Sequence, residues 1–84
     1  MIELQATATM MCSPDYRERF LAEYLQLKIR YNKLAKMVSD WDAGVLGFEP
    51  TCPRVTYDLQ LRAMKDYLAI LEMRASIEEI SLVF

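Results

Sequence analysis

An unbroken helical repeat of apolar residues occupies the first half of the chain and constrains its fold more than any other feature. The repeat alternates spacings of four and three residues, and its members are Tyr16, Phe20, Tyr24, Leu27, Tyr31, Leu34, Val38 and Trp41. This spacing places all of them on one face of an α-helix. Ser13, Pro14 and Asp15, which precede the repeat, are residue types that favour a helix start. The sequence therefore predicts a first long helix over residues 14–41.

A second helical repeat follows in the C-terminal part of the chain. Its members recur at the same spacing and are Tyr57, Leu61, Met64, Leu68, Leu71 and Ala75. Thr56 is suited to cap the helix that carries them. Residues 42–55, between the repeats, contain both glycines and two of the three prolines, which is typical of a loop. The pattern predicts an all-α, antiparallel two-helix hairpin whose second helix covers residues 56–81.

The remaining segments complete one small domain. The chain has 84 residues, so we expect a single helical-hairpin domain over residues 1–84. We predict that residues 1–13 form an N-terminal arm that is either frayed or extended against a neighbouring chain. Three apolar loop residues, Val45, Leu46 and Phe48, are expected to plug the end of the bundle. Residues 82–84 form an apolar tail that we expect to be docked.

Apolar residues outside the two repeats exceed what one hairpin buries. They make a second stripe on each helix, with Leu21, Leu25 and Ile29 on the first and Ala63, Tyr67, Ile70, Met73, Ile77 and Ile80 on the second. A hairpin has a single mutual seam, and small domains without disulfides or metals often gain stability through association. We therefore predict a homo-oligomeric helical bundle, in which these stripes and the tail dock against sister chains.

Composition excludes several classes of protein. The chain has no histidine and only two cysteines, which removes histidine-based catalysis, histidine-containing zinc sites and four-thiolate zinc sites. We expect no enzyme activity, no metal and no cofactor. A net charge of −2 argues against a DNA-binding or RNA-binding protein. The sequence shows neither a membrane span nor a basic signal segment, so we expect no membrane association, a cytoplasmic location and free thiols at Cys12 and Cys52.

Basic and aromatic side chains alternate in the second half of the first predicted helix. The basic members are Lys28, Arg30, Lys33 and Lys36, and the aromatic members are Tyr24 and Tyr31. Aromatic rings stack on nucleobases and cationic groups bind phosphates, so the pattern is typical of a nucleotide-binding surface. In the simpler interpretation, the two tyrosines pack between the helices and the lysines form a solvated face.

Tyr16 and Arg74 are two further candidates. Tyr16 lies at the start of the first helix, where backbone N–H groups attract anions, and is the tyrosine we expect to be most open to a ligand. In the simpler interpretation, Arg74 forms a surface ion pair with Glu78, one helical turn later. If several hairpins pack around an axis, symmetry instead brings copies of Arg74 together into a cationic pocket.

Residues on both predicted helices resemble those of a known protein family. They are Tyr16-Arg17-Glu18-Arg19-Phe20, Glu23-Tyr24, Leu27, Arg30 and Lys33-Leu34 on the first helix, and Gln60, Met64, Tyr67, Leu71 and Arg74 on the second. The pattern resembles the small helical-hairpin phage proteins of the crAss-phage-related family over about 60 positions. The hairpin is also similar to that of the anti-CBASS sponge proteins, which form oligomers and sequester cyclic oligonucleotide signals of bacterial immunity.

The resemblance implies a non-catalytic phage anti-defence protein in the cytoplasm of an infected bacterium. Its ligand would be a cyclic di- or trinucleotide held in pockets between protomers. By position, Tyr16 would stack on a base, Lys28 or Arg30 would meet a phosphate, and Arg74 would line the pocket. The alternative is a small phage inhibitor that binds a host defence protein, such as a Cas-type effector, directly through its apolar helical face.

Overall fold

The computed structural model describes residues 3–82, which form three helices and no strand. The helices are α1 (Leu4–Met11), α2 (Tyr16–Asp42) and α3 (Arg54–Ile77). The all-α prediction is thereby confirmed. The longest dimension of the protein is 43 Å, close to the about 40 Å expected for the 27 residues of α2 at about 1.5 Å per residue. The length of α2 therefore sets the length of the molecule.

The two long helices begin slightly away from the predicted positions. Asp15, the last of the three residues that favoured a helix start, caps α2, because its Oδ1 accepts a 2.9 Å hydrogen bond from the backbone N–H of Arg17. α3 starts at Arg54, and Thr56 lies inside its first turn. Pro53 occupies the N-cap position with φ of −60°, which suits the start of a helix without any side-chain cap. Pro53 therefore occupies the N-cap position predicted for Thr56, and no side chain caps α3.

α3 ends at Ile77, four residues before the predicted end at 81. Glu79 has a φ of 57°, in the left-handed region, and it reverses the direction of the chain. The backbone N–H of Ile80 then donates a 2.9 Å hydrogen bond to the carbonyl oxygen of Ala75, as in a Schellman motif. Ile80 and Leu82 consequently fold back onto the core. Of the tail that we expected to be docked, Leu82 packs against the main core of its own chain. Residues 83 and 84 lie outside the described range.

The main core lies between α2 and α3. Its buried members are Phe20, Tyr24, Leu68, Leu71, Ala75 and Ile80. Tyr16 at the start of α2 contacts Glu78 after the end of α3, whereas Asp42 at the end of α2 contacts Arg54 at the start of α3. The two helices therefore lie side by side in opposite directions. The members of both predicted repeats are mostly buried or half-buried, as their spacing predicted.

The N-terminal segment differs from the expected arm, because residues 4–11 form the helix α1. α1 packs against α2, and no contact joins it to α3 within residues 3–82. Thr7 is fully buried, and its hydroxyl donates a 2.6 Å hydrogen bond to the carbonyl oxygen of Leu4. The alanine and threonine residues of α1 do not form the apolar stripe from which a helix is predicted. Packing against α2 stabilises this short helix instead.

α1 covers part of the α2 surface that we assigned to sister chains. Ala22 and Leu25 are buried although they lie outside the core between α2 and α3. Ala22 is two residues from both Phe20 and Tyr24, so it lies on nearly the opposite side of α2. Leu21 packs against the main core instead. The prediction that this stripe docks against other chains was wrong for Leu25, which is buried within its own chain, whereas Leu21 is half-buried.

The second stripe of α3 is largely exposed. Four of its members, Tyr67, Ile70, Met73 and Ile77, are exposed, and we call them the open α3 stripe; Ile77 is the most accessible of the four at 74%. The prediction was wrong for Ile80, which is buried in the main core of its own chain. The expectation for the loop was wrong for Val45 and Phe48, which are exposed, whereas Leu46 is half-buried. Trp41 and Tyr57 already close that end of the helix pair, with ring centroids 6.1 Å apart in an edge-to-face arrangement.

Candidate functional site

Three polar side chains meet where the start of α2 lies beside the end of α3. The hydroxyl of Tyr16 donates a 2.5 Å hydrogen bond to Oε1 of Glu78. Arg74 donates from Nη2 to the Tyr16 hydroxyl at 3.0 Å and from Nε to Oε2 of Glu78 at 3.3 Å. We refer to Tyr16, Arg74 and Glu78 as the tyrosine-arginine cluster. Each member contacts the other two, so the cluster is a closed triangle of hydrogen bonds.

Phe20 lies between this cluster and the rest of the main core, and it contacts both Arg74 and Tyr16. It is buried in the main core, and the guanidinium carbon of Arg74 lies 5.1 Å from the centroid of its ring. The ring of Tyr16 lies 6.4 Å from the same ring and is inclined to it by 51°. Cation–π and aromatic contacts of this kind fix the positions of both side chains. Tyr16 itself is 46% exposed, so an aromatic ring and a guanidinium group face solvent side by side.

The hydrogen bonds also determine the charges of the cluster. The hydrogen bond to Glu78 raises the pKa of Tyr16, because it stabilises the protonated phenol. The same bond, together with Arg74, lowers the pKa of Glu78. The contacts with Tyr16 and Glu78 raise the pKa of Arg74. At neutral pH the cluster therefore contains a neutral phenol, a carboxylate and a guanidinium, and its cation is suited to an anionic ligand.

The structure brings together two of the four predicted site residues. Tyr16 and Arg74 are direct neighbours, whereas Lys28 and Arg30 lie about 18 Å and about 21 Å further along α2 at about 1.5 Å per residue. Both of these basic side chains are exposed, and neither forms a hydrogen bond or ion pair within residues 3–82. In one protomer, Lys28 and Arg30 are thus separate from the tyrosine-arginine cluster.

The simpler interpretations are also correct at several positions. Tyr24 is buried and Tyr31 packs against the main core, so both are part of the seam. The predicted ion pair between Arg74 and Glu78 is formed. Sequence reasoning missed that Tyr16 joins this pair and that Phe20 lies under it. The only available signal was that an antiparallel arrangement brings the first turn of α2 next to the last turn of α3.

The sequence profile of the Sequestin family matches residues 14–77. The chain belongs to the Sequestin family. The match contains α2, the loop and α3, and with them all four predicted site residues, whereas α1 and Glu78 lie outside it. No curated protein and no solved structure matches the chain.

The other end of this Sequestin-family chain carries an acidic and aromatic surface. Arg54 forms ion pairs with Asp42 and Asp58, and its guanidinium carbon lies 5.6 Å from the ring centroid of Trp41. A shallow cleft of about 450 Å³ opens beside Trp41, between that ring and loop residues 44–50. Two carboxylates therefore bind Arg54, whereas Arg74 in the tyrosine-arginine cluster is paired with one, that of Glu78.

The described residues contain neither a metal site nor a membrane-spanning helix. Residues 3–82 contain no group of three or more cysteine, aspartate or glutamate side chains arranged to hold a metal ion. None of the helices in that range is both long and apolar enough to cross a membrane. Cys12 and Cys52 are free and exposed, as predicted.

Proposed function

We propose that this protein is a phage anti-defence protein that sequesters cyclic oligonucleotide immune signals without catalysis. The observation that carries the proposal is the juxtaposition of an exposed Tyr16 ring with the Arg74 guanidinium, inside the range that matches the Sequestin family. The family name itself indicates sequestration. The relation to crAss-phage proteins and to anti-CBASS sponges is part of this proposal.

The chemistry of the tyrosine-arginine cluster supports a nucleotide ligand. An exposed aromatic ring offers a stacking surface to a nucleobase, and stacking of this kind contributes about 1–3 kcal/mol per base. A guanidinium group beside it donates charge-assisted hydrogen bonds to a phosphate. A cyclic oligonucleotide presents bases and phosphates in alternation, so one ligand satisfies both groups at once.

The open α3 stripe supports pockets between protomers. Ile70 and Ile77 lie four residues before and three residues after Arg74, so the arginine borders the stripe on the surface of α3. If two copies bury this stripe against each other, two-fold symmetry places two Arg74 side chains near one interface. In their own protomer, Lys28 and Arg30 are remote from Tyr16, so in this proposal they would contact the ligand only from a neighbouring chain.

Isothermal titration with a panel of cyclic di- and trinucleotides tests the proposal. We expect heat with at least one of them, and about a 10- to 100-fold weaker Kd for Arg74→Ala, since a hydrogen bond to a charged group contributes about 1.5–3 kcal/mol. Tyr16→Ala should also weaken binding, whereas Tyr16→Phe should retain the stacking contribution. Arg62→Ala, which removes an exposed arginine elsewhere on α3, is the matched control. Absence of heat with every cyclic nucleotide would refute the proposal.

The oligomer has a test of its own. Light scattering should give a mass that is a multiple of the 9.8 kDa chain. Ile77→Glu places a charge in the open α3 stripe and should reduce the measured mass, because burying an unpaired carboxylate in an apolar interface is costly. Lys65→Glu, at an exposed position outside the stripe, should leave the mass unchanged. A wild-type protein that scatters as a monomer would contradict pockets between protomers.

The open α3 stripe also favours the second candidate, direct inhibition of a host defence protein. Exposed apolar residues in a contiguous patch are typical of protein interaction sites. In that case, a pull-down from host extract should retain one host protein in a fixed ratio, and Ile77→Glu should release it. Binding of cyclic nucleotides would then be absent, which separates this function from sequestration.

A further inference from the structure

The carboxylate of Glu78 occupies the groups that the proposed ligand needs. Its Oε1 accepts from the Tyr16 hydroxyl and its Oε2 accepts from Nε of Arg74. Phosphate oxygens and carboxylate oxygens are alternative acceptors for the same donors. We propose that Glu78 is a built-in competitor, which a ligand phosphate must displace from Arg74 and Tyr16. This inference rests on the proposed function, since it concerns the same site.

The side chain of Glu78 can rotate away from the cluster while Arg74 and Tyr16 keep their positions. It is the C-cap residue of α3, with φ of −88° and ψ of 1°, so it lies beyond the last helical residue. Its side chain is 31% exposed and has open solvent beside it. Arg74, by contrast, remains within the helix and lies over the ring of Phe20. Rotation of Glu78 towards solvent therefore exposes a guanidinium group that is already positioned.

The forces that hold Glu78 are weak enough for a ligand to overcome. An ion pair between exposed side chains is weak, because water and salt screen the two charges. In addition, a carboxylate near the C-terminus of a helix is repelled by the helix dipole. Tyr16 and Arg74 are the groups that hold the carboxylate in place, as far as residues 3–82 show.

Competition by a tethered carboxylate has a consequence for selectivity. A tethered group acts at an effective concentration in the millimolar range or above, so it competes with any small anion that offers only one contact. Inorganic phosphate and pyrophosphate have no ring to place on Tyr16, whereas a nucleotide gains both a stacking contact and a phosphate contact. Glu78 thus favours ligands that combine a base with a phosphate and rejects abundant simple phosphates.

Titration with inorganic pyrophosphate as the probe tests this role. Glu78→Gln keeps the size of the side chain and removes the charge, and we expect it to tighten pyrophosphate binding by about three- to fivefold, the equivalent of one exposed ion pair. Glu79→Gln is the matched control, because it removes the same charge one residue later without touching the cluster. Screening by salt should keep the change in the control below about twofold.

Two further measurements locate the effect. Adding Arg74→Ala to Glu78→Gln should abolish the gain in pyrophosphate affinity. Ultraviolet titration of phenol ionisation, with Tyr16→Phe as the reference, should show that Glu78→Gln lowers the pKa of Tyr16. Thermal unfolding establishes that each variant is folded.

The possible outcomes separate this inference from the proposed function. Equal or weaker pyrophosphate binding by Glu78→Gln, an equal gain in Glu79→Gln, or no binding by either variant would overturn the competitor role. Failure of every cyclic nucleotide to bind, with the gain in pyrophosphate affinity intact, would overturn the sequestration proposal alone.

Discussion

The backbone N–H of Ile80 donates a 2.9 Å hydrogen bond to the carbonyl oxygen of Ala75, and this bond closes the C-terminal end of α3. Both residues belong to the main core, so the bond also returns the chain to the helix pair. Glu79, between the end of α3 and Ile80, adopts a φ of 57° that glycine tolerates better than any other residue. Glu78, immediately before it, is thereby held at the edge of the tyrosine-arginine cluster.

Glu79→Gly should stabilise the protein. The left-handed conformation costs a residue with a Cβ about 1–2 kcal/mol, and the greater freedom of glycine in the unfolded chain offsets part of the gain. We expect the free energy of unfolding in urea to rise by about 0.5–1 kcal/mol. Glu79→Ala is the control, because it removes the charge but retains the Cβ. An equal increase in both variants would mean that charge, rather than backbone conformation, is responsible.

Ala22→Leu should destabilise the contact between α1 and α2. Ala22 is fully buried on the side of α2 away from α3, so a larger side chain has no room without moving α1. Overpacking typically costs about 1–3 kcal/mol, which urea unfolding would detect. The same substitution at Ala69, an exposed position of α3, should change stability by less than about 0.5 kcal/mol. If Ala22→Leu were as stable as the wild type, the packing of α1 would be contradicted.

Leu71→Ala should cause a large loss of stability. Leu71 is completely buried between α2 and α3, and truncation of such a leucine costs about 2–5 kcal/mol. The midpoint of urea unfolding should fall accordingly. Val45→Ala, in the exposed loop, provides the comparison and should leave the midpoint nearly unchanged. Similar midpoints for the two variants would be incompatible with the observed core.

The ion pair between Asp42 and Arg54 should make stability depend on pH in the acid range. The hydrogen bond from Arg54 lowers the pKa of Asp42 below its usual 3.8. An acid with a depressed pKa in the folded state stabilises the protein above the pKa of the unfolded chain, and this contribution is lost as pH falls through the depressed value. Carbon-detected NMR titration of Asp42 should show the shift directly. Asp42→Asn should have a lower Tm than the wild type at pH 7. It should also lose less stability than the wild type on acidification below pH 4. If Tm fell with pH in the same way in both proteins, the ion pair would be contradicted.

Parts of the candidate site followed from the sequence and parts did not. The resemblance placed Tyr16 and Arg74 in the site, and the helical spacing of Arg74 and Glu78 predicted their ion pair. The triangle that these residues form depends on the register between α2 and α3, because Tyr16 is 62 residues away from Glu78 along the chain. Lys28 and Arg30 were also predicted as site residues. They lie three to four turns after Tyr16 on the same helix, so they are far from it in the structure.

The sequence by itself determined the two long helices, the loop between them and the residues that α2 and α3 bury against each other. Periodic apolar side chains encode a helix and its buried face locally, so no tertiary information is needed. Only the tertiary structure decided the fate of the N-terminal segment and of the surplus apolar surface. α1 is too short to be stable alone and exists because α2 offers it an apolar surface, whereas the open α3 stripe stays exposed because the chain has no further segment within residues 3–82 to cover it.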